Sequence, residues 1–437
     1  MTPLTFERLY GFDERVCRGS YYPSTPLQVE EGDRVGVVLL GTGGPETLED
    51  VESFLYNLYM DPVRVDLPVD GRLRHWLSTA IARYRASQVR SEYELIGGGT
   101  PTTRLAREQA ESLQRHLGGQ YGSPTGTEFR VYVGMRYGPP FSEEAWAQLQ
   151  SDGVDKVVLV PLYPQYAQDT SGTVLAYWKA LAAQTPETSW LTTSVTEFAA
   201  NPKYIQALSE RIDEGLQRFR RDRRENVQLL FSAHGASRHE NQDGRDPFCY
   251  HVQATVEEVM RHRGHDRPFR IAFRETEGWG ASLAPSTPDV LDTLAEAGGG
   301  PVLVVPVSLI TDNVENRYAL DIKMRSRARS LGIERFEVAS GLNTHPLLIE
   351  ALGEAVASQL SLPVDVNQLR VGGDGASKQY ELLPPADAPR LHVEGYLPGC
   401  PDVTHDLRPR RWTGTNEPSR EAMAPGGDDA ASSPPTS

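Results

Sequence analysis

The feature that most constrains this chain is that it repeats itself. Four apolar, β-rich segments in the first half, VGVVLLG from Val35, FRVYVGM from Phe129, KVVLVPL from Lys156 and WLTTSV from Trp190, read as buried strands. Four more follow in the second half: VQLLFSA from Val227, FRIAFRE from Phe269, PVLVVPV from Pro301 and FEVASGL from Phe336. FRVYV answers FRIAF and VVLVPL answers VLVVPV in the same order, so the chain carries a duplicated unit. Offsets of 140, 145 and 146 residues separate the last three pairs, whereas Val35 and Val227 lie 192 apart. The first half therefore holds about 50 additional residues between its first two strands.

Helix-like segments such as SEEAWAQLQSDG and TPDVLDTLAEAG lie between the strands, and in the second Thr287 is read as the cap, with Pro288 in the first turn. Strands alternating with helices predict an α/β fold of two similar doubly wound domains, each with a parallel sheet covered on both faces. Ligands are expected at the carboxyl ends of the strands, in the crevice between the domains. The expected division is an N-terminal extension (1–30), a first domain (31–205) with an insertion at 51–105, and a second domain (206–362). A poorly patterned stretch (363–405) and a tail of disordered composition (406–437) follow.

Composition excludes several classes. A formal charge of −15, from 44 basic and 59 acidic residues, opposes binding to nucleic acid. Cys17, Cys249 and Cys400 have no clustered spacing, so neither a disulfide framework nor a cysteine-ligated cluster is expected, which fits a reducing, cytoplasmic setting. The N-terminus lacks the apolar core of a secretory signal, and no apolar run reaches the roughly 20 residues of a membrane-spanning helix.

Candidate chemistry gathers at strand ends. His234, in FSAHGASRH, stands at the carboxyl end of the fifth strand, where the repeat makes it the counterpart of Thr42. A ring titrating near neutral pH suits a base or a metal ligand, and it equally suits a helix cap or a loop contact. After the seventh strand, SLITDNVENRYALD places Asp312 and Glu315 where they can accept protons, hold a cation, or favour a helix N-terminus. The glycines of GTGGPETLED and IGGGTP offer free backbone N–H groups to an anion or simply make tight turns, without the spacing of a dinucleotide fingerprint. Tyr163 and Tyr166 in PLYPQYAQDTSGT, with Arg136 and Tyr137 in MRYGPPF, suit a flat apolar ligand bearing carboxylates, and core packing accounts for the tyrosines nearly as well. His239, His251, His262 and His265 read as surface or loop residues.

Taken together, GTGGPETLEDVESFLYNLYMDP, YELIGGGTP, MRYGPPFSEEA, VPLYPQYAQDTSG, LLFSAHG and PVSLITDNVE resemble the ferrochelatase family over about residues 35–355, in the family's order. The resemblance implies insertion of ferrous iron into a porphyrin during haem synthesis, by two flavodoxin-like halves that clamp the macrocycle beneath a lip formed by the first-half insertion. It implies that His234 is the active-site base and a metal ligand, and that Glu315 faces the same pyrrole nitrogens. Thr42, Arg136, Tyr137, Tyr163, Tyr166 and Asn313 are implied to line the porphyrin. No tightly bound cofactor is expected: iron is a substrate, and Cys400 alone cannot hold the iron-sulfur cluster some members carry. Protoporphyrin and coproporphyrin both remain open as substrates, as does the oligomeric state, and the apolar lip is compatible with peripheral contact with a bilayer surface.

Departures from the family pattern are also visible. Asp312, Asn313, Val314 and Glu315 stand where members usually read DHIE, so Asn313 replaces a second histidine. Ala319 replaces an acid, and FRETEG around Arg274 replaces a stretch containing FQS. Asn313 and Ala319 raise one rival expectation, a weakened paralogue that binds porphyrin or haem; a second rival is a cobalt or nickel chelatase acting on a related tetrapyrrole, against which the PLYPQY and MRY segments favour the iron enzyme.

Overall fold

The computed structural model describes residues 1–364 apart from 12, 14, 17–25, 66, 189, 235–246 and 275–282. Cys17, Cys400, His239 and the extension and tail beyond residue 364 lie outside the described residues.

The two halves build the same sheet. The strands are β1 (Arg34–Gly41), β2 (Glu128–Met135), β3 (Lys156–Pro161), β4 (Leu191–Ser194), β5 (Gln228–Ala233), β6 (Phe269–Phe273), β7 (Val302–Pro306) and β8 (Phe336–Val338). Their order is β2-β1-β3-β4 in one sheet and β6-β5-β7-β8 in the other, with every pairing parallel. A parallel sheet wound on both faces buries both, and the side chains divide accordingly. Val35, Val37 and Leu39 of β1 point into one apolar cluster, while Val38 and Leu40 point into another. In β5, Leu229 and Phe231 join the first of these clusters and Leu230 enters a third. One face of each sheet thus meets in a common core, which is what holds the halves together.

Helices fill that layered arrangement. They are α1 (Pro3–Leu9), α2 (Val51–Tyr59), α3 (Gly71–Glu94), α4 (Thr102–Leu117), α5 (Ser142–Asp152), α6 (Thr173–Gln184), α7 (Pro202–Leu216), α8 (Phe248–His262), α9 (Thr287–Glu296) and α10 (Pro346–Ser358). The shared core takes Leu113 and Leu117 from α4, Leu208 and Ile212 from α7, Val252 and Val256 from α8, and Leu348 and Leu352 from α10. Helix α10, at the end of the second half, lies against α4 of the first and against α7. The cap of α9 is Ser286 rather than Thr287: its hydroxyl accepts from the Asp289 N–H, and the Asp289 carboxylate accepts from the Ser286 N–H. This reciprocal pair satisfies two N–H groups that Thr287, already inside the first turn, cannot reach.

The first-half insertion folds into α2 and α3, which pack on each other through Val51, Leu55, Tyr59, Ala82, Ala86 and Val89. Val314, next to Glu315, packs against the same cluster. The insertion therefore rests on the loop that carries the second-half acid. The two glycine loops meet nearby: the Thr100 N–H donates to the Pro45 carbonyl at 2.9 Å, and a Cβ on Gly99 would fall 2.0 Å from the Glu46 carbonyl oxygen. Close approach of two backbones accounts for this glycine.

Candidate active site

Backbone register brings the second-half strand ends together. The His234 N–H donates to the Ser308 hydroxyl at 3.1 Å, which ties the residue after β5 to the segment just past β7. The imidazole is buried, with a carboxylate at each nitrogen: Glu315 lies 3.2 Å from Nδ1, and Asp169 Oδ2 lies 3.3 Å from Nε2. Arg274, the residue following β6, pairs through Nη2 with Glu315 Oε1 at 3.1 Å. Arg64, from the turn after α2, donates to the Asp169 backbone carbonyl at 2.8 Å. The space beside His234, lined by Ser308, Arg274, Glu315 and Asn316, is about 10 Å³. That is room for an ion or roughly one water, not for a macrocycle.

Both carboxylates sit in irregular helix. Asp169 lies in a single π-helical turn, Gln168–Gly172, before α6, and Glu315 opens the π-helix Glu315–Met324. The wider hydrogen-bond spacing of such turns recurs at functional sites because it re-aims side chains. The two acids are 146 residues apart, the offset that separates β4 from β8 at Trp190 and Phe336. They are thus repeat equivalents that approach one histidine from opposite halves.

The electrostatics follow from the partners. Burial disfavours a charged ring at His234, but Glu315 and Asp169 outweigh it, so the group titrates above its ordinary value. Burial would raise Glu315, yet Arg274, His234 and Arg64 hold it down at about 2. Asp169 is likewise kept below its usual range against its burial, chiefly by His234. Arg64 is partly buried, which opposes its charge, but the nearby Asp169 and Glu315 carboxylates more than offset this and raise it above its ordinary value. The centre sets one imidazole between two carboxylates that favour its charged form, with Arg274 and Arg64 beside the acids.

The remaining predicted residues divide. Thr42, the counterpart of His234, meets Tyr163: its N–H donates to the Tyr163 hydroxyl at 2.8 Å, and the two hydroxyls lie 2.8 Å apart. Arg136 and Tyr137 do not reach out toward a ligand carboxylate. Both are buried, and Asp61 takes them, with Arg136 Nη2 at 3.0 Å and the Tyr137 hydroxyl donating at 3.1 Å. The Arg136 guanidinium also lies 3.9 Å from the centroid of Tyr177 and 4.6 Å from that of Phe6, a cation–π contact within the protein. Tyr166 is buried in the first-half core and donates to the Val16 carbonyl. Asn313 accepts from the Glu315 and Asn316 N–H groups at 2.8 and 3.1 Å, so its side chain caps the helix that positions Glu315. Asp312 accepts from the Gly341 N–H at 2.9 Å and from Asn343 at 3.2 Å, bracing a neighbouring loop. His251 corrects its reading as a surface or loop residue: it lies within α8, and its Nδ1 accepts from the Tyr166 N–H at 3.2 Å.

Asp169, Arg64 and Arg274 were not among the expected site residues. For Asp169 the repeat held the signal, since counting back from Glu315 by the β4-to-β8 offset lands on it. Arg64 sits in the insertion and has no counterpart by offset, so only the fold brings it in. Among the described residues, no three His, Cys, Asp or Glu side chains converge to hold a metal ion, because the two carboxylates occupy opposite edges of the His234 ring.

A ferrochelatase profile matches residues 34–360. The ferrochelatase of Synechococcus elongatus is 38% identical over 331 residues, covering 76% of this chain and 84% of that protein. That of Gloeobacter violaceus is 37% identical over 330 residues, covering 75% of this chain and 98% of that protein. Among solved structures, SirB from Bacillus subtilis with Fe3+ aligns over 75% of this chain and 96% of its own, at 12% identity and a TM-score of 0.44. With the profile spanning both duplicated halves and relatives of this identity along most of their length, the chain belongs to the ferrochelatase family of enzymes that insert iron into porphyrin in haem synthesis.

Proposed function

We propose that His234 and Glu315 form the centre at which this ferrochelatase loads ferrous iron and takes up the protons of its porphyrin. The observation that carries the reading is the 3.2 Å approach of Glu315 to His234 Nδ1 at the carboxyl ends of β5 and β7, beneath a loop on which the insertion rests. Insertion exchanges one divalent ion for two pyrrole N–H protons, so the centre must both hold a cation and accept protons. The two carboxylates favour the protonated form of His234. An arriving cation competes with a proton for the same lone pair, so the ring takes the ion in its neutral form, any proton it held passing to solvent; once the ion has moved on it can accept one pyrrole proton, and the second passes to Glu315 or to solvent. A single imidazole with hard oxygen donors holds ferrous iron loosely enough to release it.

Thr42 and Tyr163 are the first-half groups placed to meet the macrocycle, while Arg136, Tyr137 and Tyr166 support that wall from within. Distortion of the flat ring, which exposes nitrogen lone pairs, draws on binding of its large face, a strain of roughly 1–5 kcal/mol. Iron is a substrate in this reading, and no resident cofactor is invoked. The proposed setting is cytoplasmic; among the described residues no helix is long and apolar enough to cross a membrane. The division at residues 205/206 and the lip at 51–105 follow the repeat.

The test is anaerobic: purified protein, ferrous iron and either protoporphyrin or coproporphyrin, followed by visible absorption. Conversion of one free base to its haem is the expected result and selects the substrate. Binding of both with conversion of neither overturns the reading.

A further inference from the structure

We infer that Asp169 is a second protein ligand for the incoming divalent iron, which docks between Asp169 and His234 Nε2 on the side of the imidazole facing away from Glu315. This rests on the reading that iron is loaded at His234. Four observations carry it. Asp169 Oδ2 lies 3.3 Å from His234 Nε2, a separation that two donors to one ion can share when each bond is about 2.0–2.2 Å. Asp169 is buried, and its Oδ1 has no hydrogen-bond partner among the described residues. An ionised carboxylate has lone pairs for several donors, and a buried oxygen left without any is costly unless a ligand meets it. Glu315 differs, because it is already engaged by both His234 and Arg274.

The mounting of Asp169 points the same way. Arg64 donates to its backbone carbonyl rather than to Oδ1, and the π-helical turn is continuous with α6, so the carboxylate is fixed without its free oxygen being spent. The repeat explains how the group arose: Asp169 lies 8 residues past the end of β3 and Glu315 9 residues past the end of β7. Each half of the duplication supplies one acid, and the second half supplies the histidine between them. Glu315, held by Arg274, keeps the ring oriented through Nδ1, and Asp169 shares the ion at Nε2. Two protein donors leave the other positions to water and then to pyrrole nitrogens, as a transit site requires.

Cobalt(II) serves as the spectroscopic probe, with Asp169→Cys and Asp169→Asn as variants. A thiolate bound to cobalt(II) absorbs in the near ultraviolet by charge transfer, so Asp169→Cys should acquire a band that wild type, with its own three cysteines, lacks. Asp169→Asn, nearly the same shape, should weaken cobalt binding and raise KM for ferrous iron by about 10–100-fold, with KM for porphyrin unchanged. If wild type binds cobalt, Asp169→Cys shows no band and Asp169→Asn binds as wild type does, Asp169 is not a ligand, while loading at His234 stands. If wild type and His234→Ala bind cobalt alike, the His234 reading fails and this inference with it. A Tm for Asp169→Asn close to that of wild type, with the KM split, excludes a merely structural role; equal losses in both KM values would overturn the proposal.

Discussion

Arg136, immediately after β2, is sunk against Phe6 and Tyr177 and ion-paired with Asp61. Arg274, immediately after β6, keeps 25% of its side chain exposed and ion-pairs with Glu315. The two residues are equivalents by register: the Arg136 N–H donates to the Gly41 carbonyl at 2.8 Å and the Arg274 N–H to the Ala233 carbonyl at 3.0 Å, at the ends of β1 and β5. One residue further, Thr42 meets a tyrosine and His234 meets two acids. The duplicated backbone thus offers the same anchoring points twice. The first half spends its arginine on internal structure, and the second turns its arginine toward a carboxylate that contacts His234.

The largest expected effect breaks that comparison at its structural end. Arg136→Ala leaves Asp61 buried without its cation and should cost about 3–5 kcal/mol of unfolding free energy in a denaturant titration. Arg274→Ala should cost clearly less because water reaches that pair. Equal losses would mean that the two arginines do the same job.

In activity the order reverses. Removing Arg274 takes from Glu315 its strongest charge partner, so its titration should climb from about 2 toward the ordinary 4.5. Insertion should slow by about 10–100-fold, the scale seen for groups that act through a ligand. Steady-state rates on the folded variant check this, and an unchanged rate would make Arg274 as structural as its partner.

A pH profile sharpens the comparison further. His234 is raised above 6.5 by its acids, so metal loading should show an acid limb with its midpoint above 6.5 in kcat/KM for iron. The stability terms run the other way. The His234 contribution is complete below 6.5 and lost as pH rises through its folded value, whereas that of Glu315 is present above 4.5 and lost as pH falls toward about 2. Asp169→Asn removes one raising partner and should move the acid limb to lower pH. A limb that stays in place would detach Asp169 from the ring.

The smallest effect concerns Asn313. Its side chain caps the helix that opens with Glu315, so Asn313→Ala should cost about 1 kcal/mol, and Asn313→Asp should restore most of it. Thermal melts of the pair decide this. A larger loss in rate than in stability would instead give Asn313 a role at the porphyrin.

The strands were legible because parallel strands buried on both faces become runs such as VGVVLLG and VLVVP, and because the run occurs twice. His234 and Glu315 were legible for a related reason: they follow those runs directly, and topology alone sends them to one crevice. The internal pairing of Arg136 was not legible because its partner, Asp61, lies 75 residues earlier in the insertion. No local pattern reveals that such a cation is already neutralised. Asp169 is not legible from its own segment, where the aromatic residues of PLYPQY are the stronger local signal, although the repeat offset points to the acid. Thr287 stood for Ser286 by one position, since either hydroxyl fits a cap until the Asp289 contact chooses between them.

The most direct test of the account is an anaerobic single-turnover comparison of wild type and His234→Ala, with ferrous iron and the porphyrin that wild type accepts. The account predicts that the variant folds and still perturbs the porphyrin spectrum on binding, while conversion to haem falls by at least about 10²-fold. A variant that keeps most of its turnover would contradict it, and would move the insertion centre away from the histidine that the duplication sets between its two acids.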